Sequence, residues 1–163
     1  MAGSDIIVMG VSGTGKSTLG RALAASLSRP FVEGDDHHSD ANRAKMAGGT
    51  ALTNAARDGW IAALAGAVNA GPPAVVACSA LNAEVRGWIA ARFDRPVRFV
   101  HLSATALVIA RRLAGRAGHF FDPALLDSQL AALEPPRDAI TVCAEPPLDA
   151  VLAAVRAALD DQG

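Results

Sequence analysis

The sequence predicts an α/β domain in which helices cover both faces of a parallel β-sheet. Five short apolar runs alternate with longer helical patterns, the signature of successive βαβ units. Those runs are continuously apolar rather than alternating, as in strands buried from both sides. In addition, a glycine-rich turn directly follows the first run and opens into a helix.

The first strand is expected over 5–9 (DIIVM), rich in β-branched residues. GVSGTGKST follows over 10–18 and matches strand, G-x-x-x-x-G-K-[ST], helix, with the helix starting near Lys16. A second strand, 30–33, runs into EGDDHH and a helix near Asp40, for which Ser39 or Asp40 is the expected cap. Another helix starts near Ala55, and Gly71-Pro72-Pro73 separates it from a third strand over 74–78. A helix near Ala83, a fourth strand over 97–102 and a helix near Thr105 come next. Pro135-Pro136 and Pro146-Pro147 bracket a fifth strand over 139–143, and a last helix covers 148–159. The helices are rich in alanine, which raises helix propensity and allows close packing on a sheet.

A chain of 163 residues suits one domain. With 51% apolar residues it has the means to build a core, and disorder is not expected. The net charge of −1 provides neither a basic face for nucleic acid nor a polybasic membrane patch. No apolar run reaches the length of a membrane span, and the first residues, MAGSD, lack the character of a signal peptide. A cytoplasmic protein is expected. Cys78 and Cys143 fall in apolar strand-like runs without CxxC or metal-ligand spacing, so both are expected as buried structural thiols. Lys16 and Lys45 are the only lysines in a chain that otherwise uses arginine.

The turn defines a ligand type. Gly10, Val11, Ser12, Gly13, Thr14, Gly15, Lys16, Ser17 and Thr18 form a P-loop, in which backbone N–H groups and a helix N-terminus cradle phosphate. Lys16 is expected on the β- and γ-phosphates and the Ser17 hydroxyl on Mg²⁺. In such sheets ligands bind beyond the carboxyl ends of the strands. The second strand delivers residues 33–38 there, and the third delivers Ser79-Ala80-Leu81. The fourth leads, through a helix, to an arginine-rich stretch over 111–119. Phosphoryl transfer to a hydroxyl needs a carboxylate that accepts or orients the acceptor proton, and Asp35 is the candidate. His38 suits a polar substrate contact and His37 a solvated loop. A metal role for the histidine pair is disfavoured, because neighbouring loop side chains diverge and Mg²⁺ prefers oxygen.

Beyond His38 the chain resembles the bacterial-type gluconokinases. Gly34, Asp35, His38, Asn42, Lys45, Met46, Gly49, Leu52, Arg57 and Trp60 fall in register with that family's pattern. So do ACSAL at 77–81 with Arg86, and a last block containing Arg112-Leu113, Arg116, GHFF at 118–121, Ser128-Gln129 and LEPP at 133–136. Ala51, Asn54 and Gly59 stand where the family usually has Pro, Asp and Pro, and Asn82 where it has Lys. The resemblance spans nearly the whole chain. It implies a P-loop kinase fold with strand order 2-3-1-4-5 and a lid at about 114–121. It also implies ATP and Mg²⁺ as cofactors, phosphorylation of D-gluconate at its 6-hydroxyl, and a homodimer.

An aldonate calls for arginine forks on its carboxylate and for His, Asn or Ser on its hydroxyls. The candidates are Asp35, His38, Asn42, Arg57, Ser79, Arg86 and His119. Lys45 either pairs with the substrate or solvates its helix. Arg116 is the first choice for stabilising the transferring phosphoryl, with Arg112 on the adenine side of the nucleotide and Arg111 solvated. Two other readings stay open. One is another small-molecule kinase, such as a shikimate kinase-like enzyme, although that group is expected to have a glycine-rich turn where Ser79-Ala80 stands. The other is a nucleotide-binding regulator without turnover.

Overall fold

A computed structural model describes residues 3–50, 52–115 and 123–163. In chain order it contains β1 (Asp5–Met9), α1 (Lys16–Ser26), β2 (Phe31–Glu33) and a 3₁₀ turn (Gly34–His37). Then come α2 (Asp40–Ala47), α3 (Asn54–Asn69), β3 (Val75–Ala77), α4 (Ala83–Arg92) and β4 (Val97–Ser103). The chain continues with α5 (Ala106–Ala114), α6 (Pro123–Ala132), β5 (Ile140–Cys143) and α7 (Leu148–Asp161). The five strands pair in parallel in the order β2-β3-β1-β4-β5.

β1 lies at the centre, with Ile7 opposite Val76 on one side and Phe99 on the other. Alternate residues of its apolar run therefore face opposite layers. Ile7 and Met9 pack with Ile61, Leu64 and Val68 of α3 and Ile89 of α4. Ile6 and Val8 pack with Leu19 and Leu23 of α1 and Val151 and Val155 of α7. Burial on both faces explains why the run carries no polar alternation. Asp5, fully buried at its amino end, accepts from Arg95 (Nε to Oδ2, 3.1 Å) and from the Ala74 amide (2.8 Å).

Four helices begin with side-chain caps, in which Ser39, Thr53, Asn82 and Thr105 accept from the amides of Asn42, Ala56, Val85 and Val108. Ser39 rather than Asp40 caps α2. Asn82, read from the sequence as a lost cation, is therefore the cap of α4.

Two features depart from the sequence reading. α6 was not expected; it opens on Pro123, a residue suited to the first helical position. Cys143 is exposed, against the expectation of two buried thiols, because β5 is an edge strand with one open face. Cys78 is buried as expected. Arg116 and His119, with most of the segment expected as a lid, lie outside the described residues. Among the described residues no helix is long and apolar enough to cross a membrane.

Candidate active site

The P-loop joins β1 to α1. Gly13 and Gly15 adopt φ of 84° and 90°, a left-handed backbone open to glycine at little cost. A Cβ on Gly13 would also stand 2.9 Å from Leu113 Cγ, because α5 packs directly on the loop. Thr14 is buried and turns inward, its hydroxyl donating to the Val11 carbonyl at 2.9 Å, so it offers the loop shape rather than a side-chain ligand. Lys16 Nζ donates to the same carbonyl at 3.1 Å, which keeps the ammonium folded over the loop. Val11 joins Ile109, Leu113 and Leu126 in a small buried cluster that welds the loop to α5 and α6.

The Ser17 hydroxyl donates to Glu33 Oε2 at the end of β2. Glu33 was not singled out from the sequence; its signal was a carboxylate ending an otherwise apolar strand. Ser17 and Glu33 form a pair of hard oxygen donors at the N-terminus of α1, a donor set suited to Mg²⁺.

A pocket of about 340 Å³ is tied to the loop through Gln129, which lines it and hydrogen-bonds Ser12. Its polar lining includes Asp35, His38, Thr50, Arg57, Ser79 and Gln129, with Trp60, Asn82 and Ser128 beside them, and its apolar lining includes Leu52, Leu81, Val85 and Leu125. The pocket thus gathers residues from the ends of β2 and β3 and from α3 and α6. Trp60 fixes one wall. Its indole Nε1 donates to the Gly34 carbonyl at 2.8 Å, and its ring stacks on His38 with centroids 4.6 Å apart. Burial lowers the His38 pKa from its ordinary value, Asp35 works against that shift and Arg43 adds to it. The ring is therefore neutral at neutral pH, and its buried Nδ1 has no hydrogen-bond partner among the described residues.

A second hollow of about 230 Å³ lies on the other side of the loop, lined by Gly13, Thr14, Gly15, Thr18, Arg112, Ala144 and Pro146. Arg112 forms one side of it, donating to the Ala144 carbonyl at 2.6 Å and to the Thr14 carbonyl at 3.4 Å. A larger hollow of about 710 Å³ lies between α4, β4 and residues 133–139.

Of the predicted substrate residues, Asp35, His38, Arg57 and Ser79 come together in the pocket. Three others do not. Asn42 is buried and donates to the Ala56 carbonyl at 3.2 Å, which ties α2 to α3. Lys45 is exposed on α2 and outside the pocket lining. Arg86 is buried and borders the larger hollow instead, its guanidinium donating to the carbonyls of Ala80 (2.8 Å), Leu81 (3.0 Å) and Glu134 (2.9 Å). With three of its five N–H donors on backbone carbonyls, Arg86 frames the 79–81 turn and stands outside the pocket lining. Burial draws its pKa down and Glu134 opposes that. Asn54 is exposed at the start of α3 and does not line the pocket, so its lost charge leaves the described lining intact.

The model of an AAA domain family matches residues 6–136. The gluconokinase of Gluconobacter oxydans is 45% identical over 137 residues, covering 82% of this chain and 76% of its own length. The crystal structure of a gluconokinase from Sinorhizobium meliloti superposes with a TM-score of 0.89 at 37% identity, covering 98% of this chain and 93% of that one. A shikimate kinase from Aquifex aeolicus shares the fold, with a TM-score of 0.63 at 18% identity over 97% of both chains. On this likeness of sequence and architecture, the chain belongs to the gluconokinase family of P-loop kinases.

Proposed function

We propose that this protein transfers the terminal phosphoryl of ATP to the 6-hydroxyl of D-gluconate, giving 6-phosphogluconate and ADP. The observation that carries the reading is the pocket tied to the P-loop through Gln129, where, among the described residues, one carboxylate, one arginine, one neutral histidine and two serines line a common space. Arg57, half-buried on α3, supplies a fork for the aldonate carboxylate. His38 and Ser79 supply hydrogen bonds to the hydroxyl row. Asp35 takes the proton of the 6-hydroxyl as its oxygen bonds to phosphorus and the bond to the ADP oxygen breaks.

Lys16 and the loop amides balance the charge of the β- and γ-phosphates. Ser17 and Glu33 are the residues that would hold Mg²⁺, which supplies charge neutralisation on the phosphates when bound. Arg112 borders the hollow that suits the nucleoside end. The family resemblance adds Arg116 as the cation on the transferring group. The enzyme is assigned to the cytosol, where ATP and Mg²⁺ are available.

The test is ADP release measured over gluconate, shikimate and nucleoside monophosphates. Turnover with gluconate alone supports the reading, and turnover only with another acceptor overturns it. Lys16→Ala should abolish turnover. Asp35→Asn should lower kcat by about 100-fold or more, with the affinity for ATP little changed. A rise confined to the KM for ATP would make Asp35 a nucleotide contact instead.

A further inference from the structure

Gln129 was noted in the sequence only as part of a motif. In the fold it does two things at once. It belongs to the stripe Leu125, Ser128, Gln129 and Ala132 on α6, which walls the acceptor pocket. This i, i+3, i+4, i+7 spacing places the four on one helix face. The same side chain reaches the P-loop 117 residues away: the Ser12 amide donates to Gln129 Oε1 at 2.7 Å, and Gln129 Nε2 donates to Ser12 Oγ at 3.0 Å. The carboxamide is thus committed at both ends to one residue of the phosphate cradle. Leu126, one turn earlier on α6, packs with Val11 in the buried cluster beneath. Loop and helix are joined by a reciprocal hydrogen-bonded pair on one side and an apolar contact on the other.

We infer that Gln129 is a positioning residue that couples acceptor binding to nucleotide binding. The inference rests on the reading of the pocket as the gluconate site. An acceptor seated against the α6 stripe holds that helix in place, and through Gln129 it holds Ser12 and the outer limb of the loop in the geometry that receives phosphate. A nucleotide that orders the loop fixes α6 and so completes the acceptor wall. Each ligand therefore strengthens the other by the same factor, as linkage requires. A glutamine suits the task because its carboxamide carries an acceptor oxygen and a donor NH₂ side by side, matching the amide N–H and the hydroxyl oxygen that Ser12 presents.

The experiment is calorimetric titration of a non-hydrolysable ATP analogue with Mg²⁺, with and without saturating gluconate, and the converse titration. Wild type should show mutual strengthening of about fivefold or more. Gln129→Leu keeps the bulk and removes both hydrogen bonds; it should bring the coupling factor close to one. Ser12→Ala, which removes only the hydroxyl arm, should lower it partway. A residue that merely docks α6 would shift thermal stability and weaken each ligand alone while leaving the ratio unchanged. Absence of coupling in wild type, or equal coupling in the variants, overturns the inference. If Gln129→Leu fails to fold, Ser12→Ala decides alone, and wild-type coupling in it overturns the inference. Failure of gluconate to bind wild type at all overturns the acceptor reading and this inference with it. Binding without a change in coupling overturns this inference only.

Discussion

Gly34 sets the position of Asp35, and Gly34→Ala measures how tightly. A Cβ on Gly34 would stand 2.6 Å from the Ala77 carbonyl oxygen and 2.8 Å from Cys78 Cβ. Both atoms belong to the end of β3, held by pairing to β1 and by a buried side chain, so neither can yield as a flexible tip would. On the opposite side the Trp60 indole grips the Gly34 carbonyl at 2.8 Å. Restoring ordinary contact near 3.4 Å therefore requires the 34–37 turn to move by about 0.8 Å, carrying Asp35 with it, and misplacement of a catalytic group by about 1 Å costs on the order of 10²-fold in rate. Overpacking of this kind also costs about 1–3 kcal/mol of stability. The expected outcome is a fall in kcat of about 10- to 100-fold, with the affinity for an ATP analogue retained because the P-loop hangs from β1 and not from β2. ADP-release kinetics, nucleotide titration and a melting curve on the same preparation check it. A folded variant with wild-type kcat would refute the claim that this close approach holds the carboxylate in place.

Asp5→Ala leaves Arg95 without its buried partner at the end of the sheet remote from the site; a loss of about 3–5 kcal/mol is expected, with kcat unchanged, read by denaturant unfolding and steady-state kinetics. A maleimide should label one thiol of the folded protein, the exposed Cys143, and two after denaturation, since burial pushes the Cys78 thiol up to about 12; mass spectrometry counts the adducts. His38 and His101 both have pKa values lowered by burial from the ordinary 6.5, with Arg43 acting further on the first and Arg86 on the second, while Asp35 opposes the shift of His38. The unfolded chain thus protonates first. Stability is full above pH 6.5 and is lost as pH falls through the lowered values of the fold. Melting temperatures followed from pH 7.5 to 5.5 should fall, and more gently in His101→Asn.

The fold was legible because its signals are local. The short apolar run 6–9, rich in β-branched residues and closed by a glycine turn, reads as a buried strand by its length and flanks, and a Gly-rich turn feeding a helix constrains the backbone residue by residue. α6 was missed because its start signal is a single Pro123 and because residues 125–132 mix apolar positions without a clear face. That face is shared between the buried Leu126 and the stripe that walls the pocket, so no single amphipathic stripe emerges. The site was legible in its loops and less so in its partners. Asp35 and His38 announce themselves as polar residues after an apolar strand, whereas the use made of Asn42 and Arg86 depends on which carbonyls the folded chain brings near them. Glu33 and Gln129 were overlooked for the same reason: their hydrogen-bond partners lie 16 and 117 residues away.

Arg86 illustrates why a motif cannot separate ligand contacts from framework. Ala80, beside the pocket, holds φ of 45°, a left-handed backbone that costs a residue with a Cβ about 1–2 kcal/mol. The bend is needed to turn Ser79 and Leu81 toward the pocket after β3. It is retained because its carbonyls are captured: Ala80 and Leu81 accept from one guanidinium nitrogen, the Glu134 amide donates to Leu81 at 2.8 Å, and the Gly10 amide donates to Ser79 at 3.3 Å. Glu134 in turn accepts from the Ala83 amide through its side chain and from Arg86 through its carbonyl. The ACSAL turn, Arg86 and the segment after α6 are thus one hydrogen-bonded unit, in which an arginine does for the backbone what glycine does elsewhere by its lack of a side chain. A chain with glycine at position 80 would have less need of that guanidinium. The presence of Ala80 and Arg86 together is one structural solution, and among the described residues it leaves Arg57 as the arginine of the pocket lining, the one to which the proposed reading gives the acid's carboxylate.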